Sequence, residues 1–434
     1  MVSSSRLRGR SPVRPPGAEV ENDVTPRSPR RYRVGGQFAW VSAGRIVAAL
    51  IQALTMLLLV RTVAPAEFGF FSAVYGVVTV VQTAIDLGIP TYVIRERAKD
   101  ASQPFVTSAL RLSNLLSLLL AFLLLAAFVA LGFTFDSRFF LLVPLAIWAA
   151  AERNADAWLG VVFADGDAKI NTANLVGRRL GNLGLFVLLV LLTQIDPVLA
   201  FGISSASAAV VSWVFAHVYV ARRLVPYEPV KAGYLIRESW PYWLNSVATQ
   251  ARNLDTALTS VLAGSTQAGF YAAASRLTSP LRILPTSLAS VLLPASSKRD
   301  ASNIRGLIKL VALAVAAFAV MYAVLIIVIP FGVPVLLGAE YEGAILALQI
   351  TAVGLVFASS ASLLGSLLQG VGMKHFVAMV AVVTTCTCLA GVALGALLWG
   401  ATGAALGLAF SYVVQSAALS TRLTMFVVRK ETNR

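Results

Sequence analysis

Charge is scarce in this 434-residue sequence, where only 13% of residues are Asp, Glu, Lys or Arg. A soluble domain carries roughly 25%, so a conventional water-facing surface is excluded. Acids are scarcer than bases, 20 against 35, which leaves a formal charge of +15. Cysteine is nearly missing. Cys386 and Cys388 lie two apart inside one apolar run and point to different helical faces, which excludes a disulfide framework and a cysteine metal site. The two histidines, His217 and His375, are isolated. No metal and no cofactor is expected. Extended polar connectors on the outer side are lacking too, the longest running from Gly332 to Gly343. No outer domain exists to host an enzyme, so a transporter rather than a catalyst is expected.

What the chain does have is hydrophobic sequence, 58% of the residues. Apolar runs recur every ~30 residues, each long enough to cross a hydrocarbon core that needs ~20. They predict spans at 37–60, 68–90, 105–131, 139–163, 175–193 and 198–220, then 239–263, 267–293, 307–331, 345–371, 376–398 and 401–424. The expected architecture is an all-α polytopic membrane protein. Its twelve helices form two six-helix lobes around a central cavity, residues 37–220 and 239–424, joined by a cytoplasmic connector at 221–238. A shift of 200 aligns Gly69-Phe70-Phe71 with Gly269-Phe270-Tyr271. Repeats of six helices share one orientation and imply a pseudo-two-fold axis along the membrane normal.

Residues 1–36 hold eight arginines and no apolar run, the composition of a disordered tail. They lack the apolar core of a signal peptide. Lys and Arg crowd the tails and one set of connectors, whereas only Arg61 and Arg138 fall in the other set. This asymmetry puts both termini, including the tail at 425–434, in the cytoplasm of a multi-pass plasma (inner) membrane protein. The basic charge thus faces membrane lipid, and no nucleic-acid partner is expected.

A charge at mid-bilayer costs at least ~2.5–3.5 kcal/mol on insertion scales, so ionisable residues within spans mark a cavity. They are Arg45, Asp86, Glu152, Arg153, Asp156, Arg252, Asp255, Arg276 and Arg282. Glu152, Arg153 and Asp156 share a helical face and can pair, and Arg252 with Asp255 repeats the spacing. Asp86 sits near a helix end, where head groups and water reach. Arg45 and Arg276 have no acid three or four residues away, so each needs a partner on another helix, water or an anionic ligand. Guanidinium forks match phosphate oxygens and favour the anion. Arg276 and Arg282 are six apart, on different faces of a regular helix.

Two longer stretches and a third, shorter one carry a family resemblance. The first is residues 58–97, with Arg61, the turn Ala64-Pro65-Ala66-Glu67-Phe68-Gly69 and Asp86-Leu87-Gly88. The second, Asp255 to Pro294, contains the turn Leu262-Ala263-Gly264, Gly269 to Leu277 and Leu284-Pro285. The third is Gly338-Ala339-Glu340-Tyr341 with Ala344 and Leu346. In order and spacing they resemble Wzx-type polysaccharide flippases, and more distantly MATE exporters and lipid II flippases. The resemblance implies an alternating-access fold and a lipid-linked oligosaccharide on undecaprenyl or a similar polyprenyl pyrophosphate. It also implies an electropositive cavity, for which Arg276, Arg45, Arg252 and Arg282 are the candidates. Asp255, Asp86, Glu152, Asp156 and Arg153 are candidates for ion coupling or charge pairing. Glycosyltransferases or a polymerase of the same pathway are candidate partners. A MATE-like cation-coupled exporter is the alternative.

Overall fold

The computed structural model describes residues 34–100, 104–224, 230–297 and 304–432. The disordered tail expected at residues 1–36 lies, as far as residue 33, outside the described residues. The structure is helical throughout, with no strand among the described residues. Its first half comprises α1 (Val34–Thr62), α2 (Pro65–Ile85), α3 (Ile89–Lys99), α4 (Pro104–Thr134), α5 (Val143–Ala164), α6 (Ala168–Leu192) and α7 (Pro197–Ala221). The second comprises α8 (Ala232–Gln250), α9 (Asp255–Ala263), α10 (Ser265–Thr278), α11 (Ile283–Ser297), α12 (Ile304–Leu336), α13 (Ile345–Gly370) and α14 (Lys374–Thr432).

Helix starts follow local chemistry. Proline opens α2, α4 and α7, where its missing N–H has no intrahelical partner to lose. The Asp196 carboxylate caps α7 by accepting from the Val198 and Leu199 backbone N–H groups, at 2.7 and 3.3 Å. Two expected boundaries move. Helix α1 already begins at Val34, and α8 begins at Ala232 within the expected connector.

Among the described residues eight helices are long and apolar enough to cross a membrane, and the last of them, α14, is two helices merged across a kink. It loses helical geometry at Trp399 and Gly400. The crossings that fail a continuous apolar test do so for visible reasons. Helix α5 carries Glu152, Arg153 and Asp156, while 3-10 turns at Ala251–Leu254 and Ser279–Arg282 divide α8 from α9 and α10 from α11. Counting each divided pair once gives the twelve crossings the hydropathy predicts.

Both described ends of the chain lie on one face, the terminal face. Toward the opposite, far face, a single core joins both halves, including Leu59, Phe68 and Phe71 with Tyr271, Tyr341 and Leu408. Toward the terminal face the core divides, one part centred on α3, α5 and α7 and another on α11, α13 and α14. Helix α8 crosses this division. Its Leu235 joins the first-half core, and Trp243 donates to the Ala84 carbonyl at 2.7 Å. The halves therefore share one core at the far face, while toward the terminal face their cores divide and α8 bridges them.

The seal has a two-fold signature. A Cβ on Gly69 would land against the Ser265 carbonyl and the Gly269 nitrogen, and a Cβ on Gly269 would land against the Pro65 carbonyl. Positions 65 and 265, like 69 and 269, are equivalent in the sequence repeat. Such reciprocal contact is what a two-fold axis requires, and it places the axis where α2 crosses α10. Further out, Arg61 donates to the Val335 carbonyl at 2.9 Å and Tyr341 to the Val63 carbonyl at 3.2 Å.

Candidate functional site

The helix breaks in the second half create the more basic of two polar cavities. Because Ser279–Arg282 is a 3-10 turn, Arg276 and Arg282 do not follow a continuous α-helical spacing. Both line one cavity of about 340 Å³ with Arg252, which sits in the other break. Tyr412 stands between two of the guanidiniums. Its ring centroid is 5.0 Å from Arg252 and 5.2 Å from Arg282, and its hydroxyl accepts from Arg282 at 3.2 Å. Arg252 also donates to the Ser411 hydroxyl at 3.3 Å. Cation–π contacts hold a guanidinium in place while leaving its charge uncancelled.

Arg276 reaches across to the first half. It donates to the Ser72 carbonyl at 2.9 Å and lies 5.2 Å from the Tyr75 ring centroid, while its buried Nε lacks an acceptor among the described residues. The expected Arg252–Asp255 pairing is replaced by other contacts. Asp255 accepts from the Tyr271 hydroxyl at 2.8 Å and from the Thr256 N–H and hydroxyl at 2.5 and 3.1 Å. Among the described residues the cavity wall thus carries three arginines against one carboxylate, and none of these arginines forms a carboxylate salt bridge.

Acids and bases are closer to balance in the first half. A cavity of about 290 Å³ is lined by Arg45, Arg178 and Arg179 together with Glu152 and Asp156. Arg179 donates to Glu152 at 2.8 Å and Arg178 to Asp156 at 2.9 Å. These are partners the sequence reading missed, because it searched for pairs along one helix and α6 supplies them from the next. Arg153 pairs with Asp86 and not with Asp156. That pairing also corrects Asp86, which is buried rather than solvated. The Asp86 carboxylate additionally accepts from the Gly88 N–H at 2.7 Å, fixing the turn between α2 and α3. Arg45 is exposed and has no acidic partner among the described residues.

The two cavities are connected by a line of side chains. Arg276 lies over Tyr75, whose ring stacks on Trp148 at 4.8 Å and 22°, and Trp148 Nε1 donates to Glu152. Arg45 is thus separated from the trio formed by Arg252, Arg276 and Arg282, although all four face polar space.

Solved structures share this arrangement of helices. An inward-facing multidrug resistance MATE family transporter of the MOP superfamily superposes with a TM-score of 0.71 at 16% identity, covering 88% of this chain and 96% of that one. The lipid II flippase MurJ, in an inward closed conformation, gives 0.67 at 12% identity, with 88% and 87% covered. A MOP superfamily transporter from Pyrococcus furiosus, described as having a binding pocket of reversed polarity, gives 0.59 at 16% identity, with 89% and 95% covered. At these identities the likeness is one of fold. No curated protein matches the sequence. The family model described as polysaccharide biosynthesis protein matches residues 34–300, which hold α1 to α11 and every arginine of both cavities. With more than half the chain matched and a multi-pass transporter fold around it, this chain belongs to the polysaccharide biosynthesis protein family.

Proposed function

We propose that the protein is a flippase carrying a polyprenyl-pyrophosphate-linked oligosaccharide from the cytoplasmic to the outer face of the plasma membrane. One observation carries this reading: Arg252, Arg276 and Arg282 surround one cavity without a carboxylate salt bridge among the described residues. Retaining three guanidiniums beside a single carboxylate within apolar spans is costly unless water or an anion meets them. Their planar forks suit pyrophosphate oxygens and stay charged at any physiological pH. Arg45 then contributes from the first half as the anion enters.

The terminal face, where Lys and Arg concentrate, is the cytoplasmic one in this reading. Divided cores on that face admit the head group from the cytoplasm while the lipid tail stays in the bilayer. Rocking the halves about the bound head group exposes it on the other side. Of the intramembrane acids, Asp86, Glu152 and Asp156 are neutralised by arginine, which leaves Asp255 as the group for ion coupling. The same neutralisation argues against a cation exporter, whose cavity would need free carboxylates.

Depleting the protein in cells and quantifying lipid-linked oligosaccharide beside surface polysaccharide tests the reading. The expected result is intermediate accumulating while surface glycan falls, with no rescue by an Arg252→Ala/Arg282→Ala variant of normal abundance. Unchanged lipid-linked sugar with raised sensitivity to cationic drugs would establish the exporter instead.

A further inference from the structure

A third cavity borders the first-half arginine site, with which it shares Asn174 and Arg178. It measures about 800 Å³ and lies between α6 and α7, with walls formed by Ala173, Gly177, Gly181, Ala208, Val211 and Phe215 among others. A Cβ added at Gly177 would touch nothing within 4 Å, and at Gly181 it would meet only Ala208 at 3.8 Å. These glycines therefore do not serve close packing within the chain. They leave space.

From Ile170 to Leu185 the groove follows α6 for about 22 Å, at 1.5 Å per residue. One leaflet together with its head-group layer is about 20–22 Å deep, half of the ~40–45 Å bilayer. The groove begins at the terminal face and stops two turns short of the helix end at Leu192. A transmembrane partner helix would need a groove through both leaflets. The dimensions instead suit an occupant one leaflet deep.

The mouth is basic. Lys169 lies one turn from Ala173 and Arg222 one turn from Tyr219, on the faces that line the groove. Both are exposed, and neither has an acidic partner among the described residues. In the groove wall, Arg178 is 4% exposed and its Nε lacks an acceptor among the described residues.

We infer that this groove is a binding site for an anionic phospholipid of the leaflet at the terminal face. An acyl chain lies along Gly177 and Gly181, and the phosphate head group is held by Lys169 and Arg222. This site is independent of the flippase reading and lies on the bilayer side of α6, away from the second-half arginines.

Native mass spectrometry of the full-length protein with phosphatidylglycerol or phosphatidylcholine tests it. The wild type is expected to retain one phosphatidylglycerol per chain in preference to phosphatidylcholine. Gly177→Leu fills the groove and should abolish retention, whereas Gly233→Leu, an equally unobstructed position on α8, should not. Lys169→Gln/Arg222→Gln should cut the preference for phosphatidylglycerol by roughly thirtyfold, two surface charges' worth. Equal retention of both lipids, or undiminished retention by Gly177→Leu, overturns the inference. So does displacement of phosphatidylglycerol by a lower concentration of polyprenyl phosphate, because the groove would then belong to the transported lipid.

Discussion

At the scale of single residues, the charge offered to an anion depends on which arginines are cancelled. Arg153, Arg178 and Arg179 each meet a carboxylate, whereas Arg252 and Arg282 meet the ring and hydroxyl of Tyr412. Replacing either of the latter pair by Lys keeps the charge and loses the fork, so the substitution should not be conservative. Each lost charge-assisted hydrogen bond is worth about 1.5–3 kcal/mol. Transport by Arg282→Lys should therefore fall about ten- to a hundredfold, measured as the initial rate in proteoliposomes. Asp255→Asn should remove dependence on an imposed proton or sodium gradient while leaving folding intact. Outside the spans, the Arg138 side chain and backbone donate to Asp136 and hold its carboxyl below the ordinary value of 3.8. A depressed folded-state value stabilises above the ordinary one and is lost as pH falls through it. Asp136→Asn should lower the thermal midpoint slightly at neutral pH, with the deficit vanishing in acid; the effect is small because the pair is exposed.

At the scale of elements, hydropathy located every crossing but not the interruptions within them. Gly269 and Gly69 were visible as repeat equivalents, yet nothing in their spacing revealed that the two would touch. The break at Ser279–Arg282 was not visible either, since Pro280 within an apolar run is equally compatible with a kink or a helix start. That break brings Arg282 to the cavity of Arg276, which helical spacing had assigned to separate faces. Arg178 and Arg179 were missed for a related reason: partners along one helix can be read from spacing, while partners between helices depend on packing. At the α2–α10 crossing, Gly69→Leu should force apart backbones that no side-chain motion can relieve. Cysteine labelling from the far face at position 72 should rise in that variant, and the thermal midpoint should fall. Unchanged labelling would mean that the seal lies elsewhere.

For the whole molecule, halves that share a core at the far face and have divided cores at the terminal face form one of the two states of the proposed carrier cycle. Arg61 and Tyr341 tie the outer ends together through the carbonyls of Val335 and Val63, and neither bond can survive separation there. Joining Arg61→Cys to Val335→Cys with a cleavable bifunctional thiol reagent should therefore arrest transport, and cleaving the linker should release it. Composition was enough to reveal a membrane protein, because 13% charge leaves too little polar surface for water. It could not reveal which face was closed, a property of contacts between residues some two hundred positions apart. The most direct test of the central claim is translocation of a polyprenyl-pyrophosphate oligosaccharide by the purified protein in liposomes, comparing wild type with Arg252→Ala/Arg282→Ala. The account predicts saccharide reaching the opposite leaflet with wild type and loss of that movement in the variant, both proteins being equally reconstituted. Equal translocation by the two would contradict the arginine site.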